Sequence, residues 1–262
     1  MKKYIQKTLF RILSLENYLQ LLQRSFFVMY KLGALKKNKE YEYHYFAKKL
    51  IKRGDVIVDI GANLGYYSIL FSSWTGRSGK VYSVEPIELY NKVFNKKAKE
   101  RKNIILYPYA LGKEEKDIKL VSSPRVGYLR TGLPHVYDSD RDGDINAQEF
   151  TFDAQMKIPS RLFASLDRLD YIKCDIEGFE HVVLSDMESI INTHKPIVQV
   201  EVWKENEEPI LNMFQRLCYK PYKLNDGILS SQENHLSLLG DYIFIHEDNS
   251  IKTKLKDMGL LK

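Results

Sequence analysis

Hydrophobic positions change period near residue 53. Before it, Leu15, Tyr18, Leu19, Leu22, Phe26 and Met29 recur at helical spacing, the stripe of an amphipathic helix. Ser14 is placed to cap the start of that helix and Gly33 to end it. A shorter piece before it carries Ile5, Leu9, Ile12 and Leu13. After residue 53, short continuous apolar runs alternate with amphipathic stretches. Val56–Ile60 reads as a strand buried on both faces. Tyr66–Trp74 follows as a helix, Lys80–Val84 as a strand, Ile87–Lys102 as a helix and Asn103–Pro108 as a strand. Residues 112–165 are rich in Gly, Pro, Asp and Ser and read as an insertion of short strands and loops. The rhythm resumes with strands at Asp170–Cys174 and Pro196–Val202, and helices at Glu180–Thr193 and Glu207–Leu217. Strands at Lys220–Leu224 and Asp241–His246 close it. Such units predict an α/β fold, a mostly parallel sheet with helices on both faces joined by right-handed crossovers. Ligands then sit beyond the carboxyl ends of the strands.

Charge divides the chain at the same place. Residues 1–53 hold thirteen Lys and Arg against three acids, Glu16, Glu40 and Glu42, a net of +10 within a total of +6. The remainder is mildly acidic. Such an arm suits a phosphate, an acidic partner or the surface of a membrane, or is simply a solvated helical face. The organisation expected is a basic helical arm over 1–40, one α/β domain over 41–249 and a C-terminal helix over 250–262. The apolar run Phe26–Tyr30 is too short to span a bilayer. Met1-Lys2-Lys3 resembles the start of a signal peptide, but Lys7, Arg11 and Glu16 break the apolar stretch it needs. Two cysteines, Cys174 and Cys218, form no disulfide framework, which points to a reducing, cytoplasmic setting. Peripheral contact at the membrane's inner face is left open.

Three motifs carry chemistry. Asp59-Ile-Gly61-Ala-Asn63-Leu-Gly65 ends the first strand in an acid and a Gly-rich turn that opens a helix, where unpaired N–H groups welcome an anionic group. Asn63 stands where a dinucleotide loop needs its middle glycine, so a pyrophosphate fits poorly. No phosphate-binding G-x-x-x-x-G-K-[ST] loop is present either. Glu85 ends the second strand, twenty residues beyond Gly65, where an acid can take both ribose hydroxyls. A ribose without a pyrophosphate suggests S-adenosyl-L-methionine. The third motif, Lys173-Cys-Asp175-Ile-Glu177-Gly178-Phe-Glu180-His181, ends the fourth strand, and Glu201 ends the fifth. Carboxylates gathered there shift in pKa or bind polar ligands or cations.

Together these residues resemble the FkbM family of class I S-adenosylmethionine-dependent methyltransferases. The marks are Asp59–Gly65, Val84–Pro86, Ala110–Gly112, Lys173–Glu180, Pro196–Glu201 and a last strand beginning Asp241-Tyr-Ile-Phe-Ile. The resemblance implies a Rossmann-like sheet that binds S-adenosyl-L-methionine through Asp59, Gly61, Asn63, Gly65, Glu85, Ala110 and Asp175. It further implies O-methylation of a sugar or glycan, glycolipid or other secondary-metabolite hydroxyl. Asp175 is the first candidate for the base that takes the hydroxyl proton, with Glu177 and Glu201 next, then His181 and His44. No dedicated metal site is assigned, and a divalent cation at Asp175 is left open. An [ND]-P-P-[YF] motif, common where base amines are methylated, is missing at the fourth strand. Nucleic-acid or protein acceptors therefore stand second, beside an inactive, calcium-regulated binding module. That last reading rests on Asp138–Glu149, which matches a calcium-loop pattern at each ligand position but lacks a long entering helix.

Overall fold

The computed structural model describes residues 2–122, 128–232 and 239–262. Helices α1 (Lys2–Ile12) and α2 (Leu15–Lys31) form the arm. Ser14 caps α2, its Oγ accepting from the Asn17 N–H, and Gly33, at φ 74°, is the left-handed residue that ends it. A helix α3 (Glu42–Leu50) follows and buries Tyr43, Phe46, Ala47 and Leu50 on one face. The alternating units then run β1 (Val56–Ile60), α4 (Tyr66–Thr75), β2 (Lys80–Val84), α5 (Glu88–Ala98) and β3 (Ile104–Tyr107). The helix expected to reach Lys102 stops at Ala98, because Lys99-Glu100-Arg101-Lys102 offers nothing apolar to hold another turn on the core.

Residues 110–162 build a sheet of their own from β4 (Ala110–Leu111), β5 (Lys116–Ser122), β6 (His135–Val136) and β7 (Phe150–Lys157), with helical turns α6 (Ser139–Asp142) and α7 (Pro159–Leu162). Their order is β4-β7-β5-β6, and β5 and β7 pair antiparallel along seven positions. The stretch expected as short strands and loops is thus a second sheet, which we call the lobe, with residues 123–127 outside the described part. The chain returns as β8 (Tyr171–Cys174), α8 (Glu180–Asp186), α9 (Glu188–His194), β9 (Ile197–Val202) and α10 (Glu207–Arg216). It ends as β10 (Tyr219–Asn225), β11 (Ile228–Ser231), β12 (Gly240–His246) and α11 (Ile251–Asp257). The single helix expected over 180–193 divides at Met187, whose side chain is fully buried where α8 stops and α9 starts.

The main sheet has the order β11-β10-β12-β9-β8-β1-β2-β3. From β3 across to β9 the pairs are parallel, and β12, β10 and β11 add antiparallel. The chain winds outward from β1 to β3, then returns to lay β8 on the other side of β1. The carboxyl ends of β1 and β8 therefore flank the switch point where such folds bind ligands. Alternate β1 positions serve opposite faces. Ile57 packs with Leu50, Phe71 and Leu255, while Val58 and Ile60 pack with Val183, Met187 and Phe214.

The arm belongs to this core. Tyr18 and Leu19 are fully buried against Leu64, Tyr90 and Val93. A stripe at this spacing docks more often on a protein's own core than on lipid, and here all of it but Met29 is spent on the core. Gln23 is buried within it and donates from Nε2 to the carbonyls of Leu64 (2.7 Å) and Val93 (3.3 Å). Gln23→Leu should keep the volume and leave the Leu64 carbonyl without its donor, costing about 1–3 kcal/mol. Denaturant unfolding checks this, and an unchanged midpoint would mean the arm is not bonded there.

Candidate active site

The turn after β1 is shaped by contacts from distant parts of the chain. A Cβ on Gly61 would lie 1.9 Å from the Asp175 carbonyl oxygen, and one on Gly65 would lie 2.4 Å from the Phe94 ring. Both glycines also have positive φ, 79° and 80°. Their primary constraint is close packing of the turn against β8 and α5. Gly65 does not line the cavity described below, and Gly61→Val would disturb the fold before any ligand. Asn63, at φ 52°, ties the turn to the inserted lobe by donating from Nδ2 to the Thr131 carbonyl at 2.8 Å. Glu85 is buried at the end of β2. Its Oε1 accepts from the Ile87 N–H and its Oε2 from the Asn63 N–H, both at 2.9 Å. Burial raises its pKa to about 7 against the pull of those bonds.

Lys173, on β8, is a buried ammonium. Its Nζ lies 3.0 Å from Asp175 Oδ2 and 5.0 Å from the centroid of the Tyr67 ring. Burial works to lower its pKa, but Asp175, Asp59 and Asp241 outweigh it and raise the value. Asp59 is wholly buried; its Oδ2 accepts from Ser68 Oγ, and its Oδ1 has no hydrogen-bond partner among the described residues. His44, on α3, stacks on Tyr67 with centroids 3.9 Å apart. Its Nδ1 is buried without a partner. Burial, then the Lys173 charge, lowers its pKa to about 3 and keeps it neutral.

Beyond Lys173 the carboxyl groups gather. Asp175, Glu177 and Glu201 bring one oxygen each within 4.8 Å of one another. Asp241 on β12 stands directly across from Glu201 on β9. Burial and the charges of Asp175, Glu201 and Glu180 raise Glu177 to about 8. Burial with Asp175 and Asp241 raises Glu201, and burial with Asp175 raises Asp241 to about 6. Glu180 differs. Fully buried, it accepts from the N–H groups of Ile176 and Gly178 and from Asn206 Nδ2, so it shapes the turn that presents Asp175 and Glu177. The Trp203 indole, partly exposed, donates from Nε1 to Glu201 Oε2 at 3.1 Å.

A cavity of about 210 Å³ opens at the switch point. Asp59, Gly61, Asn63, Glu85, Ala110, Asp175 and Glu177, all expected from sequence, line it. Glu201 is not part of its lining and joins only through the acidic cluster. His181 is likewise outside the lining. Sequence reasoning left out Tyr67 and Asp241, and did not place Thr131 and Gly132 of the inserted lobe on the cavity wall. A lone acid heading the apolar run Tyr242-Ile-Phe-Ile was the available signal for Asp241.

The acids of 138–149 are bound up locally. Asp142 pairs with Arg141 and His135, Asp138 accepts from the Asp140 N–H, and Asp144 accepts from the Asn146 N–H. Among the described residues no cluster of three possible metal ligands forms there.

Residues 59–224 match the Methyltransferase FkbM domain, well over half of the chain. The chain belongs to this methyltransferase family, and its sheet is the class I, Rossmann-like one. Among curated proteins nothing matches. Among solved structures it is similar to methyltransferase FkbM of Methylobacillus flagellatus KT, with 14% identity and a TM-score of 0.48. That match covers 75% of this chain and 45% of the other, so the chain spans less than half that protein's length. It is also similar to a SAM-dependent O-methyltransferase of Thermotoga maritima (14% identity, TM-score 0.41, 79% and 64% covered). A third likeness is to fibrillarin of Aeropyrum pernix with natively bound S-adenosyl-L-methionine (12% identity, TM-score 0.38, 75% and 68% covered).

Two outcomes test these electrostatics. Lys173→Met leaves Asp59, Asp175 and Asp241 without their cation and should cost about 3–5 kcal/mol in urea unfolding; wild-type stability would show that Lys173 compensates nothing. The second concerns pH. Glu177 and Glu85 have raised pKa values, so the native state holds protons that the unfolded chain has released. Their stabilisation is complete below the unfolded carboxyl value and is lost as pH rises through the native one. His44 acts oppositely, but its effect is complete once the unfolded imidazole is neutral, at about pH 6.5. Melting temperature should therefore fall from about pH 6.5 to about pH 8.5. Glu177→Gln should flatten that decline, and an equal slope in the variant would remove Glu177 from the account.

Proposed function

We propose that this family member binds S-adenosyl-L-methionine against the β1 turn and methylates a hydroxyl of a polyhydroxylated acceptor: a sugar or glycan, a glycolipid or another secondary metabolite. The residues suit that cofactor. Each Glu85 oxygen holds one backbone N–H and keeps a lone pair for a ribose hydroxyl. Asp59 Oδ1 is a buried acceptor with no donor, which an ammonium group satisfies. Ile87, Leu111 and Tyr90 give apolar wall for an adenine. When bound, the cofactor supplies an already electrophilic methyl on a sulfonium, so positioning of the acceptor oxygen carries much of the rate.

The observation that carries the acceptor class is the acidic cluster beside Trp203. Carboxyl groups poised near neutrality both donate and accept hydrogen bonds, as vicinal hydroxyls require. An exposed indole offers a flat apolar face to a sugar ring. A ring of acids repels a phosphate backbone, which sets nucleic acid second. Asp175, fixed by Lys173, takes the hydroxyl proton in this reading, and Glu177 and Glu201 orient the acceptor. The three carboxylates also suit a divalent cation, a role that chelation separates from the first. Both cysteines are free, and among the described residues no helix is long and apolar enough to cross a membrane. A cytoplasmic setting with peripheral contact at the membrane's inner face completes the reading.

Transfer of label from methyl-labelled cofactor to a glycan extract tests it. Asp175→Asn should keep the fold and lower kcat roughly 10²–10⁴-fold, and Trp203→Ala should raise KM for the acceptor with kcat less affected. Wild-type turnover by Asp175→Asn would move the base to another carboxyl group. Label appearing only in RNA or protein would overturn the acceptor class.

A further inference from the structure

With the inner stripe of α2 spent on the core, the arm's opposite face stands out. Of the eleven large hydrophobic side chains left exposed among the described residues, seven lie within the first 32 residues. On α2 and its C-terminal cap residue Leu32, the side chains of Leu21, Val28 and Leu32 fall within about 40° of one another at 100° per residue, opposite the buried Leu19 and Phe26. Leu32 is 77% exposed and Val28 56%. On α1, Tyr4, Ile5 and Ile12 are exposed on the outward side together with Arg11. Arg24 and Lys31 border the α2 line along one edge, and Lys36 and Lys37 follow it, all exposed. The one acid within these two helices, Glu16, is bound by Lys96.

We propose that this outward face docks on the surface of an anionic bilayer, with Val28, Leu32, Ile12 and Tyr4 entering the headgroup boundary and the basic residues meeting lipid phosphates. This deepens the peripheral placement given above and is independent of methyl transfer. Aliphatic side chains aligned opposite a buried stripe have nothing to gain from a nucleic-acid backbone. A second copy would bring one +10 segment against another. A negatively charged, apolar-cored surface satisfies both halves of the patch.

The test is flotation of the full chain with vesicles of phosphatidylcholine alone or mixed with phosphatidylglycerol. The mixed vesicles should carry the protein at low salt, added salt should weaken the association, and neutral vesicles should carry far less. The double variant Val28→Glu, Leu32→Glu should lower partitioning at least tenfold and leave melting temperature and cofactor affinity unchanged, since both side chains touch solvent. Leu32→Trp should shift its fluorescence to the blue on mixed vesicles alone. Absence of flotation at low salt would overturn the proposal, as would equal flotation by the double variant or on neutral vesicles. So would retardation of RNA, or dimerisation, without vesicle binding. Methyl transfer to a soluble acceptor reports separately on the catalytic reading.

Discussion

A cation held out of water inside a parallel sheet organises the chemistry of this protein. Removing an ammonium from water costs several kcal/mol unless its surroundings return the energy. Lys173 is repaid by one carboxylate in contact, two more nearby and the face of Tyr67. The compensation runs both ways. Without that charge, Asp59, fully buried with one unpartnered oxygen, would be driven still further toward its neutral form. The same charge assists burial in keeping His44 neutral and fixes one oxygen of Asp175. One lysine thus favours the neutral imidazole of His44 and the ionised carboxylate of Asp59, and it holds Asp175 by a direct ion pair.

The acids around it divide by what holds them. Glu85 and Glu180 are buried and accept backbone N–H groups, which makes them parts of the turns as much as parts of a site. Asp175, Glu177, Glu201 and Asp241 converge from three strand ends and press on one another, so that burial and mutual repulsion move several toward neutrality. Like charges set directly across a strand pair are destabilising, and Asp241 opposite Glu201 is such a pair. A fold tolerates this arrangement where a proton, a cation or an acceptor hydroxyl relieves it.

Much of this was legible in the sequence because strands buried on both faces leave continuous apolar runs, and the acids that end them are visible as interruptions. The strand ends at Asp59, Glu85, Asp175 and Glu201 followed from that alone. What escaped depends on contacts between distant residues. The constraint on Gly61 comes from a carbonyl more than a hundred residues away, so its local context suggests a ligand where packing is the stronger demand. The helical spacing of Tyr43, Phe46, Ala47 and Leu50 was present, but a dense aromatic run obscured its period and with it the position of His44. The loop at Asp138 shows the converse. Its pattern fits calcium in one dimension, yet Arg141 and His135 already engage the acid at its fifth position.

The lobe over residues 110–162 is tied to the turn that lines the cavity. Asn63, whose N–H bonds Glu85, reaches through its side chain to Thr131, and Gly132 brings its backbone close to Glu177. A shift of the lobe therefore moves the turn at Asn63 and the cavity wall at Glu177 together. On the proposed reading, positioning dominates transfer of an activated methyl, so an acceptor that seats the lobe correctly would also align the two reacting partners. The residues that decide what is methylated are then sought among those that brace the lobe against Asn63 and Glu177, as well as among those that touch the acceptor.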